Sequence, residues 1–292
     1  MKSPNENIKF AIVGGDLRQI YTGIALAEKG YEVALFGFDD YDGDIGLCTR
    51  CFTVEDAINR ASVLVLGNPV SNDGENLYLP MSNCSVGVNF LLNKVNKECT
   101  VLGGRCKNLT QQQRERVIDY FEREDLTIAN AYITAESAVG IAMQEMNESI
   151  RDTTVLVMGY GRIGKTLCHI LKGMGAKVYA SARKESDFAW IRAYGYSPVD
   201  TSKICDIVAE CKLVFNTIPI LVLGEQVLSC LQKDTLIIDL ASKPGGVDFE
   251  AANKCGLKTL WALGLPGKKQ PVSAGRVQAT VIIDMLDDMG VI

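Results

Sequence analysis

The chain has 292 residues, 47% of them hydrophobic, with a net charge of −5. That length can bury one large core or two modest ones, and the acidic balance argues against nucleic acid as the main partner. No apolar run reaches membrane-spanning length and the polar start, residues 1–7, lacks the apolar core of a signal peptide, so the sequence predicts a cytoplasmic protein off the membrane.

Taken in order, residues 8–15 form an apolar strand that runs into Gly14-Gly15-Asp16-Leu17-Arg18-Gln19. A helical run to Lys29, then Gly30 and a strand over 31–36, complete a β-α-β unit. Its helix start, with Arg18, offers a place for a small anion such as a substrate carboxylate; the other reading pairs Arg18 with a nearby acid. Cys48-Thr-Arg-Cys51 is a lone CxxC with no second pair for zinc and no strand directly before it, and reads as chance spacing. The remaining cysteines are scattered through apolar segments, as small hydrophobes in a reducing compartment are.

Strands follow at 61–66 and 100–102, ending in Gly67-Asn68-Pro69 and Gly103-Gly104-Arg105. Ligands gather at the carboxyl ends of strands in an open α/β sheet, so Asn68 and Arg105 become substrate candidates. Residues 72–93 lack periodicity and read as an irregular excursion. Thr110 is placed to cap a charged amphipathic helix over 111–124, followed by a short strand at 126–129. Thr134-Ala135-Glu136 then opens a long helix, with Thr134 as its cap and a substrate candidate. Two readings of Glu136 stand side by side: a base, or a first-turn carboxylate favoured by the helix dipole.

The stretch 153–164, T-T-V-L-V-M-G-Y-G-R-I-G, is a buried strand running into Gly159-x-Gly161-x-x-Gly164, with a helical run behind it. The first glycine makes the turn, the second admits a pyrophosphate, and the third lets helix pack on strand. Gly159, Gly161, Arg162, Ile163 and Gly164 are therefore the phosphate-turn residues. Gly159 to Thr166 also satisfies the G-x-x-x-x-G-K-T loop of nucleotide hydrolases. Gly161 and the continuation Gly175-x-x-Val178 favour the dinucleotide reading. The interval from Gly14 to Gly30 equals that from Gly159 to Gly175, so the same unit is used twice. The first copy carries Asp16 and Gln19 in place of the second and third glycines, which makes it a poor dinucleotide site.

The next strand, 177–181, ends in Ser181-Ala182-Arg183-Lys184. Ala182 stands where an NAD enzyme usually carries a carboxylate for the ribose hydroxyls. Ser181, Arg183 and Lys184 can instead hold a 2′-phosphate, which points to NADP; alternatively Arg183 and Lys184 only solvate a loop. Later strands, at 213–217, 235–240 and 259–262, end in turns carrying Thr217 and Pro219, then Ala241, Ser242 and Lys243, which approach the ribose and nicotinamide side of the cofactor. After Lys268, Ser273 begins a last helix. His169 is the only histidine and falls on the helix behind the phosphate turn, which excludes a Ser-His-Asp hydrolase and disfavours a histidine base or a metal site. The base must then be Lys, Glu, Asp or water, or the reaction needs little help; Glu136 and Lys243 are the candidate catalytic groups.

These elements predict an α/β fold of two Rossmann-like doubly wound lobes with a cleft between them. The N-terminal, substrate-side domain is 1–133. The cofactor domain is 134–292 with a connecting helix at 134–150, and the final helix, 274–292, is expected to pack back on the first lobe.

Three segments, Gly14 to Gln19, Ala131-Tyr132-Ile133-Thr134-Ala135-Glu136, and Gly264-Leu265-Pro266-Gly267-Lys268 with Pro271-Val272-Ser273-Ala274-Gly275, resemble the A-subunit family of dipicolinate synthase from spore-forming bacteria. The resemblance spans almost the whole chain. It implies NADP-linked oxidation of a dihydrodipicolinate-type ring from the lysine pathway to pyridine-2,6-dicarboxylate for spore formation. It also implies a partner, a flavoprotein-like B-subunit. A homo-oligomer is a further expectation. The small dicarboxylate would be held by Arg18, Arg105, Lys268 and the helix start at Ser273. Two other readings are an NADP-dependent reductase of another small carboxylate and a non-catalytic subunit that senses NADP(H).

Overall fold

The computed structural model describes residues 8–59 and 61–292; the polar start lies outside them. The chain divides into two compact units, one running to Asn130 and including Pro266–Ile292, the other Ala131–Leu265. The final segment thus belongs to the first unit, on which the helix 274–292 was expected to pack, although the sequence boundary 134–292 counts it with the second.

The first unit begins β1 (Lys9–Val13), α1 (Leu17–Glu28), β2 (Glu32–Phe36), β3 (Thr49–Arg50), α2 (Val54–Ile58) and β4 (Val63–Leu66). It continues α3 (Val88–Lys94), β5 (Thr100–Gly103), α4 (Gln111–Arg114), β6 (Ile118–Asp119) and the start of α5 (Glu124–Glu145). The sheet is parallel throughout, in the order β3-β2-β1-β4-β5-β6. β4 is apolar and buried at all four positions, as a parallel strand covered on both faces must be. Along β1, Phe10 and Ile12 enter one core with Ile20 and Leu26, while Ala11 and Val13 enter the other with Leu64 and Leu66. That is the period-2 alternation of a strand.

The second unit carries β7 (Thr154–Met158), α6 (Arg162–Gly173), β8 (Lys177–Ala182), α7 (Glu185–Ala193), β9 (Ser197–Asp200) and α8 (Cys205–Val208). β10 (Leu213–Asn216), α9 (Glu225–Leu228), β11 (Leu236–Asp239), α10 (Phe249–Lys254) and β12 (Lys258–Trp261) follow. Its order, β12-β11-β10-β7-β8-β9, is the same doubly wound arrangement. Each sheet reverses direction beside its first strand, β1/β4 and β7/β10, the point where such sheets take ligands.

The chain closes with α11 (Leu265–Lys269) and α12 (Pro271–Asp288). α12 packs on α1, and Ala279, Ile282, Met285 and Leu286 join the core with Ile20 and Leu26. Contact is close at Gly275: a Cβ there would lie 2.6 Å from Tyr21 Cβ and 2.7 Å from both Arg18 O and Thr22 N. Among the described residues no helix is long and apolar enough to cross a membrane.

Five local expectations are corrected. The helix expected over 111–124 stops after one turn, although Thr110 caps it with a capping box, and the chain enters β6. The strand expected at 126–129 and the helix start at Thr134 both fall inside α5, so Thr134 is a buried mid-helix residue, not a cap. Leu-Thr-Ile reads locally as strand, but packing of Leu126, Ala135 and Ala138 decides for helix. The excursion 72–93 ends in α3. Finally, Pro271 occupies the first turn of α12, so Ser273 is an exposed residue inside that helix rather than its start.

Candidate cofactor and substrate sites

In the second unit the fingerprint has the geometry its glycines demand. Gly159 turns the chain out of β7 at φ +91°. A Cβ on Gly164 would fall 1.9 Å from Gly159 O, so only hydrogen fits there. A Cβ on Gly161 would meet nothing within 4 Å. Packing within the protein therefore does not call for a glycine at this position, whereas a pyrophosphate approaching the backbone does. Gly161 is also the N-cap of α6 and has no side chain to bond the first-turn amides, which remain available to an anion. These residues fit a dinucleotide. Of the other turn residues, Arg162 is exposed and Ile163 packs against the core.

The tip of β8 differs from the sequence reading at one residue. Ser181 is fully buried and its Oγ accepts the Gly159 N–H at 3.2 Å, so it braces the glycine turn instead of facing a phosphate. Arg183 and Lys184 are exposed beyond it. Opposite Ala182 on β9 stands Asp200, whose carboxylate accepts from Ser202 N and Oγ, and those bonds hold it below the usual carboxylate range.

At the ends of β10 and β11, Asn216 and Asp239 are both fully buried. Asp239 accepts from Asn216 Nδ2 (2.8 Å), Ala241 N (3.0 Å) and Gly246 N (2.9 Å), which pins the turn 241–246 to the sheet. Ala241 is buried, with its N–H spent on Asp239 and its carbonyl accepting from Trp261 Nε1, so it supports the turn and does not offer backbone to a ligand, contrary to expectation. Ser242, Lys243 and Pro219 are exposed. Thr217 is half-buried; its hydroxyl donates to Met158 O at 2.8 Å and presses on Gly159. Glu136 is exposed on α5, and His169 is exposed on α6.

In the first unit the equivalent turn is filled by the chain's own groups. Asp16 caps α1, accepting from Arg18 N, while Gln19 Oε1 accepts from Asp16 N. Tyr78 O takes the Gly15 N–H. The start of α1 is therefore not an anion site. Arg18 is bound to Asp16 through Nε and Nη2, both at 2.8 Å, and Nη2 also donates to Asn68 O. Of the two readings of Arg18, the structure displays the ion pair.

Around this pair three predicted residues come together at the carboxyl edge. Arg105 follows β5 in the left-handed region, φ 53°, an uncommon conformation for a side chain of that size. The Asp119 carboxylate holds it there by accepting from the N–H groups of Arg105, Cys106 and Phe121. The Arg105 guanidinium lies 4.8 Å from the Phe121 ring centroid. Burial, and next the charge of Arg18, depress its pKa. Asn68 is 1% exposed, and neither Nδ2 nor Oδ1 has a hydrogen-bond partner. Leaving such a group unsatisfied costs about 1–3 kcal/mol, so the site favours something that bonds it.

Sequence reasoning missed the supports. Tyr120 is fully buried, its hydroxyl donating to Leu66 O at the end of β4, and burial raises its pKa. Gln19 Nε2 reaches both Tyr120 and Gln278 of α12 at 3.4 Å. Asp119 and Tyr120 were hidden by the helix expected over 111–124. Gln278, a buried amide on an otherwise apolar helix face, was the one legible signal. Gly267 sits against Asp16 and Arg18, so α11 covers the pair, whereas Lys268 beside it is exposed.

A doubly wound parallel sheet with a Gly-x-Gly-x-x-Gly turn and an uncapped helix behind it defines a dinucleotide-binding unit, and the family matches make it nicotinamide-binding and the chain an oxidoreductase. Residues 124–242 match the D-isomer specific 2-hydroxyacid dehydrogenase, NAD binding domain, and residues 9–122 match the N-terminal domain of the dipicolinate synthase A-subunit. The chain is 33% identical to the dipicolinate synthase A-subunit of Bacillus subtilis (strain 168) over 97% of each protein. It is also similar to the crystal structures of the dipicolinate synthase A-subunit from Bacillus halodurans (32% identity, TM-score 0.84, 96% of this chain and 98% of that one) and of the dipicolinate synthase A chain from Bacillus subtilis (31%, 0.85, 99% of each). The chain belongs to the A-subunit family of dipicolinate synthase.

Proposed function

We propose that this chain oxidises a dihydrodipicolinate-type ring from the lysine pathway to pyridine-2,6-dicarboxylate with NADP⁺, for spore formation, in the cytoplasm and beside a flavoprotein-like second subunit. The observation that carries the reading is that the likeness to the dipicolinate synthase A-subunit extends over both units, not the cofactor unit alone. The name of that relative, one lettered component of a synthase, supports a second component. NADP is supported by the exposed Arg183 and Lys184 and the absence of a carboxylate at Ala182.

When bound, NADP⁺ supplies the hydride acceptor. The Gly159–Gly164 turn and the α6 start would hold its pyrophosphate, Arg183 and Lys184 its 2′-phosphate, and Thr217, Pro219 and Ser242 would lie toward its ribose and nicotinamide. Arg105, with Asn68, holds one ring carboxylate; Lys268 and the Ser273 hydroxyl are candidates for the other. The ring carbon loses a hydride and the ring loses a proton, to Glu136, Lys243 or water. Aromatisation drives the exchange, so the chain's main task is orientation.

The test is turnover by the purified chain, with and without the second subunit, reading reduced nicotinamide and pyridine-ring absorbance together. Equal amounts of NADPH and dipicolinate are expected. If NADPH binds but neither product forms in either mixture, the reaction is wrong and the NADP(H)-sensing reading replaces it.

A further inference from the structure

We propose that Cys205 and Cys230 form a redox site on the second unit, a dithiol that a small-molecule disulfide oxidises reversibly to an intrachain bond. The site stands apart from the proposed reaction and does not rest on it. Ten cysteines are scattered along the chain, and the fold sorts them. Cys48, Cys99, Cys106, Cys168 and Cys211 are buried, out of reach of an oxidant in the folded protein. Cys205 is half-buried at the start of α8, and Cys230 is exposed two residues past the end of α9. The two thiols meet in a side-chain hydrogen bond. Packing beneath them builds that meeting. Ile204 and Val208 beside Cys205, and Leu228 and Leu231 beside Cys230, enter one core with Val214 of β10 and Ile237 of β11. Further along, Gln232 Nε2 donates to Ala209 O at 2.7 Å and the Thr235 hydroxyl to Cys211 O at 2.8 Å. The segments leading into β10 and β11 are thus held side by side. The Cys230 thiol donates to Gln226 O at 3.3 Å. It has one hydrogen, so its sulfur is left to accept from Cys205.

The two sulfurs have different parts. Burial, then the charge and hydrogen bond of Cys230, raise the pKa of the Cys205 thiol, so it attacks slowly, whereas Cys230 faces solvent. The Cys230 thiolate, its proton given to water, attacks one sulfur of R–S–S–R; the Cys230–S–S–R bond forms and R–S⁻ leaves. Cys205 then loses its proton and attacks Cys230 Sγ, expelling the second R–S⁻. Two protein thiols are oxidised by two electrons, one R–S–S–R is reduced, and the two protons end on two R–SH. The second step is intramolecular between sulfurs already in contact, so the mixed disulfide is short-lived. In a reducing thiol pool the pair stays open, and it closes as the pool is oxidised. The closed bond spans β10, the strand next to β7 and its glycine turn, and ties down the cofactor unit.

Glutathione is the probe. The full chain, first reduced, is equilibrated in glutathione buffers of rising oxidised fraction, quenched with acid and mapped by peptide mass spectrometry without reduction. The expected product is a Cys205–Cys230 cross-link free of glutathione and reversed by dithiothreitol. Cys84, exposed in the first unit, should carry glutathione and no cross-link. Cys205→Ser removes the resolving sulfur and should trap glutathione on Cys230 about tenfold or more over the parent. Cys230→Ser should leave Cys205 largely unmodified. If a serine variant fails to fold, the alanine variant takes its place, and the map of the parent stands without either. The oxidised parent should unfold at a higher urea concentration than the reduced one, because the bond restricts the unfolded chain. Four results overturn the proposal: no cross-link, a dominant cross-link between other cysteines, glutathione that persists on Cys230 in the parent, or a cross-linked chain that unfolds at lower urea.

Discussion

At the scale of single residues, the second unit is governed by what is absent. Gly161 has no side chain and Ala182 no carboxylate, and Arg183 extends beyond the strand end into solvent. NADPH is therefore expected to bind more tightly than NADH, and Arg183→Ala should narrow the gap by about 1–3 kcal/mol, the worth of a charge-assisted hydrogen bond. Fluorescence titration of both cofactors measures it; equal affinities in the unaltered chain would end the NADP assignment. In the first unit the matching residue is Asp119, which holds Arg105 in its left-handed turn. Asp119→Ala should lower kcat/KM for the ring substrate at least tenfold, on the order of one lost buried contact, while leaving NADPH affinity unchanged. A variant with normal kcat/KM would mean that Arg105 does not need its turn. The cysteines divide by burial. Burial pushes the thiols of Cys48, Cys106, Cys168 and Cys211 up to about 12, so at neutral pH they stay protonated and poorly nucleophilic. Ellman's reagent followed by peptide mapping should find the exposed Cys84 and Cys230 first, with those four labelled only on unfolding.

At the scale of elements, the question is what attaches α12 to a sheet it follows by so long a stretch of chain. The contact with α1 is made without side-chain spacing at Gly275, where a Cβ would strike Arg18 O and Thr22 N as well as Tyr21. Two of these are backbone atoms and cannot swing aside. Gly275→Ala should cost roughly 1–3 kcal/mol by overpacking, and Gly275→Leu should free the helix from α1. Urea denaturation reads the first and limited proteolysis near the C-terminus the second; an alanine variant as stable as the parent would show that the helices can separate at no cost. The GLPGK and PVSAG segments, which in the sequence suggested ligand contacts, are in large part the means of this packing: Gly267 covers the Asp16–Arg18 pair and Gly275 sets the helix spacing.

At the scale of the whole molecule, one supersecondary unit is used twice with opposite outcomes. The turns after β1 and β7 have the same strand order around them. One is closed by Asp16, Gln19 and the Tyr78 carbonyl, the other stays open at Gly161. NADPH alone is therefore expected to raise hydrogen-exchange protection around 159–173 and the ends of β10 and β11, leaving the α1 start unchanged. Saturation at a hundredfold over Kd should add about 2.7 kcal/mol of stability by linkage. Protection appearing at Gly14–Gln19 instead would place the dinucleotide in the wrong copy.

Much of this was written locally. Buried parallel strands announce themselves as short β-branched runs, and glycine spacing reports backbone demands that hold wherever the turn sits. For that reason β1, β4, β7 and β10, the doubled unit and the phosphate turn were all legible in order. The positions of Asn68 and Arg105, in the turns after β4 and β5, were legible in the same way. Other features depended on partners distant in the chain. Helix or strand at 126–129 was settled by which core received Leu126, and the fate of 111–124 by pairing of Ile118 with Leu102 on β5. The sequence leaves Arg18 between an anion ligand and an ion pair, which Asp16 decides, and reads Ser181 as a phosphate contact, whereas it is buried against Gly159. The sequence by itself determined the buried strands, the doubled unit and the class of cofactor, since those follow from backbone conformation and periodicity. Only the tertiary structure decided which polar groups were already bonded and which, like the Asn68 amide, were not, because a hydrogen bond is satisfied by whatever the fold brings within about 3 Å, and sequence separation says nothing of that.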